Sequence, residues 1–173
     1  MEMTTRSRPL DELTLTVVVD NETDTLSSVD PGVPQLPEVV SHLARRPPSR
    51  QHGGHDCVTV FDHLCVACHG LSVLATGRIG DEVHTMLFDV GPYGDVWVDN
   101  ADRLGVDLAA IDTILLSHWH WDHSGGLPVA VEAITAARRA AGSADPVVVD
   151  VHPDRPDQRG IQSPGGTFAM LPE

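Results

Sequence analysis

Lysine is absent. All eleven basic residues are arginine, against 25 acidic residues, and the net charge is −14 with histidine neutral. A surface this negative repels phosphate backbones and offers no anchor for anionic lipid, which argues against nucleic acid and against a membrane as partner. Cysteine is scarce, with only Cys57, Cys65 and Cys68. An odd count, with no apolar leader after the first arginines, points to reduced thiols in a cytoplasmic protein and not to a disulfide framework. No apolar run approaches the roughly 20 residues of a membrane helix. No P-loop, glycine-rich dinucleotide loop or Gly-x-Ser-x-Gly elbow is present, so those chemistries have no support.

What remains is a chain of 173 residues, 41% hydrophobic and 21% charged. That composition suits one globular domain with a real core. Alternating and β-branched runs predict strands over residues 13–20, 111–116 and 147–151, and a hairpin from 70–76 and 83–90 around the turn-rich 77–81. Helices are expected over 95–104, capped by Asp95 with Val96, Ala101 and Leu104 on one face, and over 130–141, stopped by Gly142. A short helix is expected at 38–45. Residues 44–56, with Pro47-Pro48 and Gly53-Gly54, read as a flexible loop, and 153–173 as an irregular tail. Strands alternating with helices give an α/β or α+β class in one domain over 1–173.

The chemistry concentrates in residues 117–126, SHWHWDHSGG, directly after a buried-type strand. His118 and His120 are two apart, so on extended backbone they face the same side. Asp122 and His123 are adjacent, and both turn inward only if the chain bends; Ser124-Gly125-Gly126 supplies freedom for that bend. Imidazole and carboxylate are the ligands that zinc and other borderline divalent metals take. Two half-sites side by side suit two metals about 3.5–4 Å apart, which can share a water and lower its pKa toward about 7. The bland reading, a polar loop with chance histidines, explains poorly three His and one Asp at a strand end.

The motif His118-x-His120-x-Asp122-His123 resembles the signature of the metallo-β-lactamase superfamily. The longer stretch TMLFDVGPYGDVWVDNADRLGVDLAAIDTILLSHWHWDHSGGL resembles one branch of it, the one that contains the archaeal dihydropterin-ribofuranosyl-aminobenzene-phosphate synthase. LTVVVDNETDT, HGLSVL and VHPDRPDQRGI resemble that branch as well, so the likeness runs over most of the chain.

The resemblance implies an αββα sandwich, of which this chain would be the N-terminal half. It implies two divalent metal ions, Zn2+ first with Mn2+ or Fe2+ as alternatives. His118 and His120 would hold one metal, and Asp122 and His123 the other. Asp122 would also orient or deprotonate the attacking water. Asp89, in FDVG, would support the metal loop, with Val90 where a Thr is usual. The implied activity is metal-dependent hydrolysis of an ester, lactone or phosphoester in a small molecule. A synthase-like transferase, or a half-domain that binds only metal or a partner, is the alternative. Trp119 and Trp121 would narrow the pocket or pack beneath the loop. The remaining ligands would come from a complementing C-terminal half or from self-association, because a lone half leaves its sheet partly uncovered.

Cys65-Val66-Ala67-Cys68-His69 also matches the c-type haem attachment pattern, and Cys65 and Cys68 with nearby histidines could hold a structural zinc. Small buried thiols are the plainer reading. His42, His52, His55 and His63 read as surface residues.

Overall fold

A computed structural model describes residues 8–21, 40–41, 45, 47–48, 50–59, 63–157 and 160–170. The strands are β1 (Glu12–Val19), β2 (Arg50–His52), β3 (His55–Cys57), β4 (Ser72–Ile79), β5 (Glu82–Phe88), β6 (Ile111–Leu115), β7 (Val148–Asp150), β8 (Gly160–Gln162) and β9 (Phe168–Met170). The helices are α1 (Gly94–Leu104), the single turn α2 (Trp121–Ser124) and α3 (Leu127–Ala140).

The fold is a mixed α/β arrangement on a five-stranded sheet of order β1-β4-β5-β6-β7. β1, β4 and β5 pair antiparallel, whereas β5, β6 and β7 run parallel. Parallel neighbours need crossovers, and α1 and α3 supply them. The β4–β5 hairpin is tighter than its sequence suggests. Ile79 pairs with Glu82, so only Gly80 and Asp81 turn.

α1 begins at Gly94, one residue before the expected cap. Tyr93 is the N-cap without a side-chain bond, and Asp95 lies in the first turn. There its carboxylate still favours the helix N-terminus through the dipole. A side chain at Gly94 would collide with Val129, so the bare backbone is what lets α1 approach α3. The buried face of α1 carries Trp97, Asn100 and Ala101, while Leu104 is exposed. The expected face of Val96, Ala101 and Leu104 is thus rotated. The correction comes from Asn100, a polar residue that is fully buried because it is fully used. Its Nδ2 donates to the carbonyls of Val18 (2.8 Å) and Val66 (2.9 Å), and its Oδ1 accepts from the Val66 N–H (2.8 Å). Buried amides are tolerated when every bond is made. α3 starts three residues before its expected start, with Pro128 in its first turn, where a missing N–H costs nothing. It ends at Ala140, ahead of the predicted stop at Gly142.

One cluster of Val18, Val19, Leu87, Val90, Trp97, Ala101, Ile111, Ile114, Leu116, Ala130, Ile134 and Val147 forms the core between the sheet and the helices. The opposite face of the sheet is apolar too. The register aligns Leu15, Ala75, Met86, Thr113 and Val148 in one row across all five strands. Val17, Val73, Phe88 and Leu115 make the next row. Leu13, Leu15 and Val17 are 56%, 61% and 51% exposed, so this second face lies open.

Within 44–56 the glycines do more than loosen the chain. Gly53 and Gly54 both have positive φ (59° and 81°) and close the β2–β3 hairpin. Two such residues are what a tight two-residue hairpin turn requires. Likewise β8 and β9 pair within the expected tail. Of the expected helix at 38–45, only residues 40, 41 and 45 are described, and Val40 and Ser41 are helical. His52 and His55 are exposed as expected, whereas His63 is half-buried; His42 lies outside the described residues.

Candidate metal centre

The site grows from the C-terminal ends of the parallel strands β5 and β6, where open α/β sheets tend to bind ligands. Asp89 directly follows β5, and Leu116, Ser117 and His118 directly follow β6. Asp89 has a left-handed backbone (φ 55°) and a fully buried side chain. That conformation is rare outside glycine and marks a place where the surroundings overdetermine the chain. Its N–H donates to the Leu115 carbonyl (2.9 Å), and its carbonyl accepts the Ser72 hydroxyl (2.9 Å). Ser72 in turn accepts the Trp97 indole N–H at 3.0 Å.

The Asp89 carboxylate then organises the histidines. Oδ1 accepts the Ser117 N–H (2.8 Å), and Oδ2 accepts both the Ser117 hydroxyl (2.8 Å) and His123 Nδ1 (2.7 Å). Ser117 Oγ also lies 2.8 Å from His118 Nδ1. Since the single hydroxyl proton goes to Asp89, His118 Nδ1–H is the donor in that contact. One buried carboxylate therefore fixes two tautomers. His118 and His123 are both held through Nδ1, which leaves Nε2 as the ring nitrogen offered to a metal.

The rings gather closely. His118 lies 4.4 Å from His120 and 4.4 Å from His123, centroid to centroid. Burial holds the His118 pKa below its ordinary value, aided by the neighbouring His123 and His120 and opposed by Asp89 and Asp122. α2 delivers Asp122 and His123 inward. It is nucleated on the His120 carbonyl, which accepts the N–H groups of His123 and Ser124 at 2.9 Å each. The bend is thus a helical turn beginning at Trp121, ahead of the glycines. Gly125 and Gly126 have ordinary helical angles (φ −62° and −76°). A side chain there would fall 2.3 Å from the Pro92 carbonyl oxygen or 2.5 Å from that of Val90. The double glycine supplies space, and the expected conformational freedom is not what it provides.

His69 joins the site without any signal from the motif. Its Nε2 lies 3.4 Å from Asp122 Oδ2, and His123 Nε2 lies 3.3 Å from the same oxygen. In the sequence it stands in the Cys-x-x-Cys-His pattern and opens HGLSVL, and neither signal assigned it to this site. Cys68 packs against the core, and burial, with Asp95 adding to it, pushes its thiol pKa up. A protonated, half-buried thiol suits the plain reading of this segment.

Trp119 walls a cleft of about 420 Å3 with Ser117, His118, His120, His152, Asp154 and Pro156. Its indole N–H donates to the His152 carbonyl (2.9 Å), and the Arg155 guanidinium stands 5.6 Å over its ring. Trp121 instead packs edge-on against Tyr93 at 4.8 Å. The residues fit a divalent cation in donor type and in tautomer. Among the described residues, however, no three His, Cys, Asp or Glu side chains already converge on one point. Holding an ion therefore requires side-chain rotation about this scaffold.

The description "Metallo-beta-lactamase superfamily" matches residues 72–167, more than half of the chain and all of the motif. The chain belongs to the metallo-beta-lactamase superfamily. A curated relative, the 7,8-dihydropterin-6-methyl-4-(beta-D-ribofuranosyl)-aminobenzene-5'-phosphate synthase of Methanocaldococcus jannaschii, is 39% identical over 59 residues, 34% of this chain and 20% of that protein. Among solved structures, the metallo-beta-lactamase MIM-1 from Novosphingobium pentaromativorans is 26% identical with a TM-score of 0.33, covering 60% of this chain and 48% of that one. A metallo-beta-lactamase from Cronobacter sakazakii is 23% identical with a TM-score of 0.31, over 58% and 49%. A Thermotoga maritima flavoprotein is 24% identical with a TM-score of 0.30, over 54% and 26%. The chain thus spans a fifth of the curated relative and half or less of these structures. Among the described residues, no helix is long and apolar enough to cross a membrane.

Proposed function

We propose that the chain carries the metal-binding half of a hydrolase acting on an ester, lactone or phosphoester bond of a small molecule. The observation that carries this reading is the buried Asp89 carboxylate, 2.7 Å from His123 Nδ1 and linked through Ser117 to His118. A protein that needed these histidines only for solubility has no use for a buried anion that bares both Nε2 atoms. His118 and His120 hold one cation in this reading, and Asp122 and His123 another, with Zn2+ favoured by the N/O donor set and Mn2+ or Fe2+ as alternatives. Bound, such ions supply the acidity that makes water a nucleophile at neutral pH. Asp122 orients that water and takes its proton, and Trp119 and His152 bound the cleft that receives the substrate.

The open sheet face supports a further part of the proposal. An apolar face that, among the described residues, has α1 and α3 only on its other side calls for another layer. A complementing sheet, from a C-terminal half or a second copy, would cover Leu13, Leu15 and Val17 and bring further donors to the site. The test is hydrolysis of ester, lactone and phosphodiester reporters by the metal-stripped chain with and without added Zn2+. A zinc-dependent rate abolished in His120→Ala supports the reading, and no rate with any reporter, with metal and with the complementing half present, defeats it.

A second reading is a transferase resembling the dihydropterin-linked synthase. It is favoured by the identity over 59 residues and by Arg155 standing over Trp119, a pairing suited to a flat, anionic substrate. Product analysis separates the two, since a transferase consumes a second organic substrate where a hydrolase consumes water. The third reading, a half-domain that binds metal or a partner without catalysis, predicts ion binding with no turnover.

A further inference from the structure

His69 stands where a third donor for the Asp122–His123 position would stand. Its Nδ1 lies 2.9 Å from Asn21 Oδ1, and the same Oδ1 accepts the Gly70 N–H at 3.2 Å. The second contact identifies the atom as the amide oxygen, an acceptor, so His69 Nδ1 must carry the proton. Its other ring nitrogen, Nε2, is thereby turned toward Asp122 Oδ2, 3.4 Å away. His123, held through Nδ1 by Asp89, turns a second Nε2 toward the same oxygen at 3.3 Å. Two imidazole Nε2 atoms thus converge on one carboxylate oxygen, a set of N and O donors that a divalent cation can take up.

The spacing agrees with this. Two ligands of one tetrahedral zinc, with bonds of about 2.0–2.1 Å, stand about 3.3–3.4 Å apart. The closeness is also built into the backbone. Gly70 has φ +144°, and a side chain there would fall 2.2 Å from the Asp122 carbonyl oxygen, so glycine alone lets this loop press His69 onto α2. The side chain is 80% exposed and so has room to turn, which closing the three donors on one ion requires.

We propose that His69 is a metal ligand, completing with Asp122 and His123 a three-donor site from this chain alone, positioned by Asn21 and Gly70. The inference rests on the metal reading above but adds a ligand outside the His118–His123 motif. Its test uses the chelator-stripped chain titrated with Zn2+ against a chromophoric chelator, together with long-range nitrogen–proton NMR spectra of the histidines. The expected result is that the His69 Nε2 signal moves on Zn2+ addition and that His69→Ala weakens one binding step by at least about 10- to 100-fold. His118→Ala should weaken the other step. Asn21→Ala, which releases the tautomer, should weaken the His69 step less than His69→Ala does. If His69→Ala binds like the parent and its signal stays still while His118→Ala loses affinity, His69 is no ligand and the metal reading stands. If the parent chain binds no Zn2+ at all, both fall.

Discussion

Asp89 and His123 form the tightest polar contact of the site, 2.7 Å from Oδ2 to Nδ1, between a fully buried carboxylate and a ring that is 21% exposed. They lie 34 positions apart in the chain, and they meet where the Asp89 backbone is left-handed. Asp89→Asn tests the role directly. Asparagine tolerates the left-handed backbone, so the fold survives, but its amide competes as a donor and releases the His123 tautomer. Zn2+ affinity should fall about 10- to 100-fold, measured by chelator competition. Asp89→Ala should in addition lose about 1 kcal/mol of stability in urea denaturation, because the part-buried Ser117 N–H loses its acceptor.

Gly125 and Gly126 are expected to resist alanine for steric reasons. If conformational freedom were their purpose, their ordinary helical angles would make alanine harmless or stabilising by about 0.5–1 kcal/mol. Contact with the Pro92 and Val90 carbonyls instead predicts a loss of about 1–3 kcal/mol for either substitution, read from denaturation midpoints.

Acid should weaken the metal-free fold partly through His118. Its pKa is held below the ordinary 6.5, chiefly by burial, so the unfolded chain binds a proton there more readily than the native one. Stability from this group is complete above about pH 6.5 and falls as the pH drops from there through the lower native pKa. Comparing denaturation midpoints at pH 7.5 and pH 5 should show a smaller drop in His118→Asn than in the parent.

The open sheet face should drive self-association in the isolated chain. Sedimentation velocity over a concentration series should show larger species in the parent and fewer in Leu15→Arg. Because Leu15 is 61% exposed, the substitution should change stability by no more than about 0.5 kcal/mol.

Much of this protein is written locally. The period-two runs gave β1, β5 and β6 within two residues at each end, and the strong helix formers of residues 130–141 gave α3 except for its first turn. The spacing of His118, His120, Asp122 and His123 after an apolar strand was enough to single out the candidate segment, because side-chain direction along a strand and around one turn follows from backbone geometry alone. Tertiary structure decided the rest. Asn100 is core because three carbonyl and amide groups from other segments reach it. Asp89 commands two tautomers because β5 and β6 end side by side. His69 reaches Asp122 across 53 positions because a bare glycine lets two backbones touch. Such contacts join residues remote in sequence, and no local period records them; they exist only once the sheet register has fixed which chain ends are neighbours.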